Sequence, residues 1–276
     1  MKGTNTLLFG DTGSGKTYSI RTFIDQGITP FVITTEPGIE STLGDIPDEK
    51  LHWKYIPHAD VTWDDMLAGA KKINMLTYDA LAKSAPVDKQ KYGQFLEVVT
   101  SCKNFVCDRC GESFGDVGTW GTDRALIIDS LSGLNIMAMD LVVGSKPTKG
   151  MQDWMVAMDN LERFINLAVA QTKCWFVLTA HPEREKDEVT GAVQIMVSTL
   201  GRKVAPRLPR FFDDTIYARR DGNEFHWSTA ATNTNLKARN LPISDKLVPD
   251  FGQIVKVWKE KGGVVGEPIE PKKEAV

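Results

Sequence analysis

The sequence predicts an α/β fold, a mostly parallel central sheet flanked by helices. Three observations carry that prediction. Apolar, β-branched runs recur at residues 6–9, 30–36, 51–56, 124–130 and 174–181. Stretches able to form helices lie between them. Four of the runs lead into Gly10, Glu36, Asp129 and His181, residues able to handle a ligand at the carboxyl edge of such a sheet.

The 276 residues, 42% of them hydrophobic, can bury a large core in a single domain. No apolar run approaches the roughly 18 residues of a membrane span. Met1-Lys2-Gly3-Thr4-Asn5 leads straight into a strand and lacks the apolar stretch of a signal peptide. Four cysteines do not make a disulfide scaffold in a chain of this length, so a reducing cytoplasm is the expected compartment. A net charge of −3 excludes a globally basic nucleic-acid-binding protein, and any such surface must be a local patch.

In chain order, the strand Thr6-Leu7-Leu8-Phe9 runs into Gly10-Asp11-Thr12-Gly13-Ser14-Gly15-Lys16-Thr17. This is G-x-x-x-x-G-K-[ST], the phosphate-binding loop of a large NTPase class. Its glycines let successive backbone N–H groups turn toward phosphate oxygens. Lys16 is placed to reach the β and γ phosphates, and the Thr17 hydroxyl to ligate Mg²⁺. A helix is expected over residues 17–26, then a strand over 30–36 that ends on Glu36 and the turn Pro37-Gly38. Residues 62–103 read as largely helical, with a break at Ser84-Ala85-Pro86. Residues 102–121 form an irregular stretch rich in cysteine and glycine. The strand Arg124-Ala125-Leu126-Ile127-Ile128-Asp129 follows. Helices are expected near 133–143 and 151–171, the second with Trp154, Met155, Met158, Leu161 and Ile165 close to a 3.6-residue period. After the strand at 174–181 come a hairpin with Thr190-Gly191 near its turn, short strands near 215–218 and 224–228, and a last helix near 251–261.

Asp129, an acid after four apolar residues at a strand end, fits the second NTPase signature and would hold Mg²⁺ together with Thr17. An N-cap for the next helix is the alternative role for Asp129-Ser130. Glu36 can orient and polarise the water that attacks the γ-phosphate, or else serve as a turn-initiating acid.

The order of these motifs resembles the RecA-like ATPases: loop, Thr34-Thr35-Glu36, Ile127-Ile128-Asp129-Ser130, then Thr179-Ala180-His181. It is most similar to the small phage-encoded RecA-like ATPases of single-strand annealing and recombination. The resemblance spans residues 4 to about 260 and implies a RecA-like P-loop NTPase fold. It implies ATP as the substrate, Glu36 as the catalytic base and Asp129-Ser130 as the metal-binding pair. His181 stands where the family often has a glutamine that senses the γ-phosphate. Asn235-Leu236-Lys237-Ala238-Arg239-Asn240 is similar to the Lys-x-Arg-Asn run of RecA-like hexameric helicases. There the two cations reach a neighbour's γ-phosphate, which implies a homo-oligomer with ATP between subunits. Lys237 and Arg239, two apart on an extended strand, point the same way. A solvated charged strand is the other reading of this run. Recombinases of this type carry an N-terminal docking segment; the chain here starts only a few residues before its first strand, so a ring or a weak DNA-dependent assembly is as much expected as a filament.

The expected organisation is an ATPase domain over 1–262, with a helical, Cys-containing insertion at about 57–121, and a disordered tail over 263–276. Residues 201–220 carry six cations against two acids, a local charge of +4. Arg202, Lys203, Arg207 and Arg210 in that patch, with Lys146 and Lys149 in the loop at 144–150, are the candidate contacts to single-stranded DNA. RecA-like proteins line a DNA path with loops in comparable places, here about 144–150 and 183–201. Cys107-Asp108-Arg109-Cys110-Gly111 looks like half of a zinc knuckle. Cys102 is the candidate third ligand, and Asp116, His52 or His58 the fourth; a metal-free loop of reduced cysteines is the alternative. The expected activity is DNA-stimulated hydrolysis of Mg-ATP in phage recombination or annealing, in a bacterial host cytoplasm and with a single-strand-binding protein as a candidate partner. The alternatives are a nucleotide-dependent switch or loader acting on a replication protein, and a helicase-like motor that translocates on DNA.

Overall fold

The sheet is built outward from β1 (Asn5–Gly10), a strand buried over its whole length. The computed structural model describes residues 1–83, 89–144, 146, 148–186, 191–201 and 204–267. The other strands of the sheet are β2 (Thr29–Thr34), β3 (His52–Tyr55), β4 (Arg124–Asp129), β5 (Trp175–Ala180), β8 (Asp214–Asp221) and β9 (Glu224–Ser228). Their spatial order is β3-β2-β4-β5-β1-β8-β9. All neighbours pair in parallel except β8 and β9, which form an antiparallel hairpin at one edge. A separate antiparallel pair, β6 (Pro182–Lys186) and β7 (Val193–Val197), leaves the sheet directly after His181. The turn expected at Thr190 lies outside the described residues.

The period-two alternation of the strands divides the core into two faces. Leu7, Phe9, Phe31, Ile33, Leu126, Ile128, Phe176 and Leu178 face one side. There they meet α5 (Gln94–Lys103), α6 (Leu131–Val143) and α7 (Met151–Gln171). Leu8, Val32, Ile127, Val177 and Ile216 face the other, against Phe23 and α8 (Gly252–Glu260). Each large side chain buried this way contributes about 1.5–3 kcal/mol. The stripe that α7 buries is Ala157, Leu161, Phe164 and Ile165. Met155, expected in that stripe, is 61% exposed.

The expected helix over 17–26 is a single α turn, α1 (Lys16–Ser19), followed by 3₁₀ winding over Ile20–Gln26. Side chains explain the tightening. Ser19 Oγ donates to the Lys16 carbonyl and Thr22 Oγ1 to the Ser19 carbonyl, both at 2.7 Å, so hydroxyls take up backbone acceptors that an α-helix would use. After α2 (Ile39–Leu43) and β3, the insertion holds α3 (Trp63–Met75), α4 (Tyr78–Ala82) and α5, then the cysteine-bearing loop. The break at 84–86 lies outside the described residues.

The expectation of disorder from residue 263 onward is corrected for its first residues. The Val264 carbonyl accepts from Thr122 Oγ1 at 2.9 Å, and the Gly266 N–H donates back to that oxygen at 2.9 Å. Val265 packs on the core. The chain therefore stays anchored just past α8. Residues 268–276 lie outside the described residues.

Candidate active site

Parallel pairing brings the carboxyl ends of the strands to one edge. Phe9 is in register with Ala180, Ile128 with Leu178 and Thr34 with Asp129. Gly10, Glu36, Asp129 and His181 therefore meet along one crevice, with β5 inserted between the P-loop strand and the Asp129 strand. A cavity of about 690 Å³ opens there, lined by residues 12–19 together with Glu36, Asp129 and His181.

The loop calls for glycine at two points, for different reasons. A Cβ on Gly10 would come within 2.2 Å of the Ala218 carbonyl oxygen, so the loop leaves the sheet by close backbone approach. Gly15 has φ +83° and lies under the Phe225 ring. Lys16, almost fully buried, donates to the carbonyls of Gly10 at 2.7 Å and Asp11 at 3.1 Å. That uses two of its three protons. Burial lowers its pKa, opposed by Asp129, Glu36 and Asp11. Ser14 Oγ is buried with no hydrogen-bond partner among the described residues. An orphaned hydroxyl beside a buried ammonium suits a phosphate.

Thr17 Oγ1 donates to Asp129 Oδ2 at 2.7 Å, and Thr179 Oγ1 donates to Asp129 Oδ1. Burial raises the Asp129 carboxyl above the ordinary range, while Thr179, Thr17 and Lys16 pull it down. A buried carboxylate joined to a hydroxyl is the hard-oxygen donor set that Mg²⁺ takes, so these two residues fit that ion.

Glu36 is held from two directions. Ser130 Oγ donates to its Oε1, and His181 Nε2 lies 3.2 Å from the same oxygen. Oε2 has no hydrogen-bond partner among the described residues. The His181 hydrogen bond lowers the Glu36 carboxyl to about 2 against the effect of burial, and Ser130 adds to the lowering. A carboxyl that acidic is ionised at neutral pH, suited to orienting and polarising a water and a poor acceptor for its proton.

Lys237 and Arg239 lie elsewhere. Lys237 pairs with Thr215 and its ammonium donates to the Phe212 carbonyl. Arg239 forms an ion pair with Asp213 at 3.1 Å. Asn240 Nδ2 and the Arg239 and Asn240 N–H groups converge on the buried Asp214 carboxylate at 2.7–2.8 Å. This locks the segment at the amino end of β8. Asp214 is level with Thr6, and Ala218 with Gly10. Four residues of strand, about 13 Å, thus separate these cations from the chain's own loop.

The candidate DNA contacts divide. Lys146 pairs with Asp153 at 3.7 Å and Arg210 with Glu162 at 3.3 Å, which ties both to α7. Lys149 and Arg207 are exposed. Lys149 Nζ lies 5.9 Å from the ring of Trp154. Arg202 and Lys203 lie outside the described residues. The zinc expectation is corrected in one ligand: His52, Cys107 and Cys110 cluster, and Cys102 is not among them. Burial raises the Cys102 thiol to about 12, as expected of a core residue.

The sequence did not reveal Phe225, Pro249, Tyr18 and Thr42, which line the same cavity. Phe225 and Pro249 offer an apolar face to a nucleobase. They come from β9 and from the loop before α8, so no local spacing links them to the loop. Arg184 is a second omission: it leaves β6 to pair with Asp11 of the P-loop at 2.9 Å.

A buried-lysine phosphate loop and a Thr–Asp pair at the carboxyl edge of a mostly parallel sheet define a P-loop ATPase on an α/β fold. A family profile described as an AAA domain matches residues 2–240, and the chain belongs to that family. Among solved structures, the flagellar accessory protein FlaH from Methanocaldococcus jannaschii is similar at 12% identity. The match covers 85% of this chain and 80% of that one, with a TM-score of 0.34. No curated protein matches the chain. No helix among the described residues is long and apolar enough to cross a membrane.

Proposed function

We propose that the protein hydrolyses Mg-ATP by in-line attack of water and couples the cycle to single-stranded DNA during phage recombination or annealing. The observation that carries the hydrolytic part is the convergence of Lys16, Thr17–Asp129 and the Ser130–Glu36–His181 group on one cavity. Mg²⁺ held by Thr17 and Asp129 would neutralise phosphate charge. Lys16 binds the phosphates, and Glu36 orients the water through Oε2. His181 positions Glu36 and carries its state toward the β6–β7 hairpin, since the N–H of Ser198, just past β7, donates to the His181 carbonyl at 2.8 Å. The apolar lining at Phe225 and Pro249 supports a purine base.

The DNA part is supported by Lys149 beside Trp154, a cation next to a partly exposed indole on which a base can stack. Arg207 adds an exposed cation. Single-stranded DNA is expected to raise the ATPase rate, and its binding to weaken steeply with salt. A switch acting on a protein partner, such as a single-strand-binding protein, is favoured by a different observation: α3 and α4 expose Trp63 at 90%, Met75 at 80% and Tyr78 at 75%. No stimulation by DNA and no salt-dependent binding would favour the switch.

The position of Lys237 and Arg239, remote from their own loop, supports their acting on a neighbour's nucleotide in a homo-oligomer. Subunits carrying Arg239→Ala, mixed with subunits carrying Glu36→Gln, are then expected to regain activity. Each mixed assembly contains interfaces with an intact Glu36 and an intact Arg239. No recovery at any ratio, with both variants still assembling, overturns the arrangement.

A further inference from the structure

We propose that His52, Cys107 and Cys110 form a zinc site that fastens the insertion to the outer strand of the sheet. The loop carrying the cysteines doubles back on itself through one antiparallel bridge between Val106 and Ser113. Phe114 N–H donates to the Phe105 carbonyl at 2.8 Å, Cys107 N–H to the Glu112 carbonyl at 3.0 Å, and Gly111 N–H to the Cys107 carbonyl at 2.9 Å. Gly111, at φ +73°, closes the turn in a conformation that favours glycine. The Arg109 N–H points at Cys107 Sγ at 3.4 Å, a bond that stabilises a thiolate.

The third ligand comes from β3. His52 is buried, its ring stacked on Phe31 at 4.7 Å and tilted against Phe114 at 4.2 Å. Its Nδ1 lies 3.7 Å from Cys110 Sγ. The three ligand atoms all lie within 4.8 Å of one another. Tetrahedral zinc with ordinary Zn–S and Zn–N bonds needs S···N edges of about 3.6 Å and an S···S edge of about 3.8 Å. The cluster is already near that size.

The residues between the cysteines hold the turn over His52. Asp108 N–H donates to the Trp53 carbonyl at 2.8 Å, and its carboxylate accepts from Tyr55 N–H at 2.7 Å and Lys54 Nζ at 3.0 Å. Arg109 donates to the carbonyls of Leu51 at 3.0 Å and Ile46 at 2.7 Å, with its guanidinium 4.3 Å from the Trp53 ring centre. The ligand set is therefore preorganised by contacts that do not involve the ligands.

On binding, both thiols lose their protons to solvent, and two thiolates with a neutral imidazole balance the charge of Zn²⁺. The cluster supplies three ligands among the described residues, which leaves one position of a tetrahedron to a water. The role is structural. His52 is level with Phe31, three residues, or about 10 Å, from the Thr34 end of β2 that faces the nucleotide cavity.

The test uses the full chain purified under reducing conditions without chelator. About one zinc per chain is expected. Cobalt(II) added to the metal-free protein should give the intense visible bands of a tetrahedral site and a sulfur-to-cobalt charge-transfer band. Cys110→Ser, at an exposed position, should weaken cobalt binding at least 100-fold while ATP turnover stays within about twofold of wild type. Cys102→Ser should keep the metal. Less than half an equivalent of zinc together with no charge-transfer band overturns the site. So does full zinc retention by Cys110→Ser, or loss of zinc from Cys102→Ser equal to that from Cys110→Ser.

Discussion

Replacing Lys16 with alanine is expected to abolish tight nucleotide binding and to lower ATP turnover by about 10²-fold or more, the usual cost of removing one preorganised electrostatic donor. The residue is buried, and two carbonyls of its own loop hold it in place. Burial alone disfavours a charged ammonium there, and the carboxylates of Asp129, Glu36 and Asp11 offset this. A phosphate would offset it further, so Lys16 is expected to give the phosphates a strong charge-assisted contact. Equilibrium binding of a fluorescent ATP analogue, read beside steady-state turnover, checks the effect. Binding within threefold of wild type would remove Lys16 from the phosphate site.

The second large effect belongs to Glu36. Glu36→Gln is expected to keep nucleotide affinity within a few-fold and to lower turnover by about 10²–10⁴-fold, the range for losing a positioned group that activates the attacking water. The amide keeps the shape and can still accept from Ser130 and His181, but it cannot polarise a water as a carboxylate does. Turnover retained within tenfold would sink the assignment. The same variant has a pH signature in the nucleotide-free protein. The folded-state carboxyl is lowered from 4.5 to about 2, chiefly by His181. A depressed acid adds stability that is fully present above the unfolded pKa and is lost as the pH falls through the folded one. The Glu36 contribution is therefore complete above about pH 4.5 and disappears toward pH 2. Glu36→Gln should flatten the acid limb of the stability profile in that window, and its side chain, 40% exposed, keeps the difference modest.

Much of this site was legible because its signals are local. The spacing of Gly10, Gly15, Lys16 and Thr17 is a property of one turn. Glu36, Asp129 and His181 each follow an apolar run, and parallel pairing turns "end of a strand" into "same edge of the sheet". Where a reading failed, the deciding interaction was one that apolar periodicity and composition do not report. Side-chain hydroxyls on Ser19 and Thr22 convert the expected helix into 3₁₀ winding. Trp154 fits the apolar period of α7 yet sits partly exposed beside Lys149, because periodicity marks a face without saying what covers it. Val264 and Gly266 look like a tail by composition, but Thr122 holds them.

By itself, the sequence determined the α/β class, the phosphate loop and the three acidic or histidine strand ends. Each depends on residue type and spacing within a few positions. Only the tertiary structure decided the rest. It joined Ser130, Glu36 and His181 into one hydrogen-bonded group and supplied Phe225 and Pro249 to the nucleotide cavity. It held Lys237 and Arg239 at the far end of β8, and it exchanged Cys102 for His52 beside the paired cysteines. In each case the partners are distant in sequence, and their meeting is fixed by strand order and register, which local spacing does not encode.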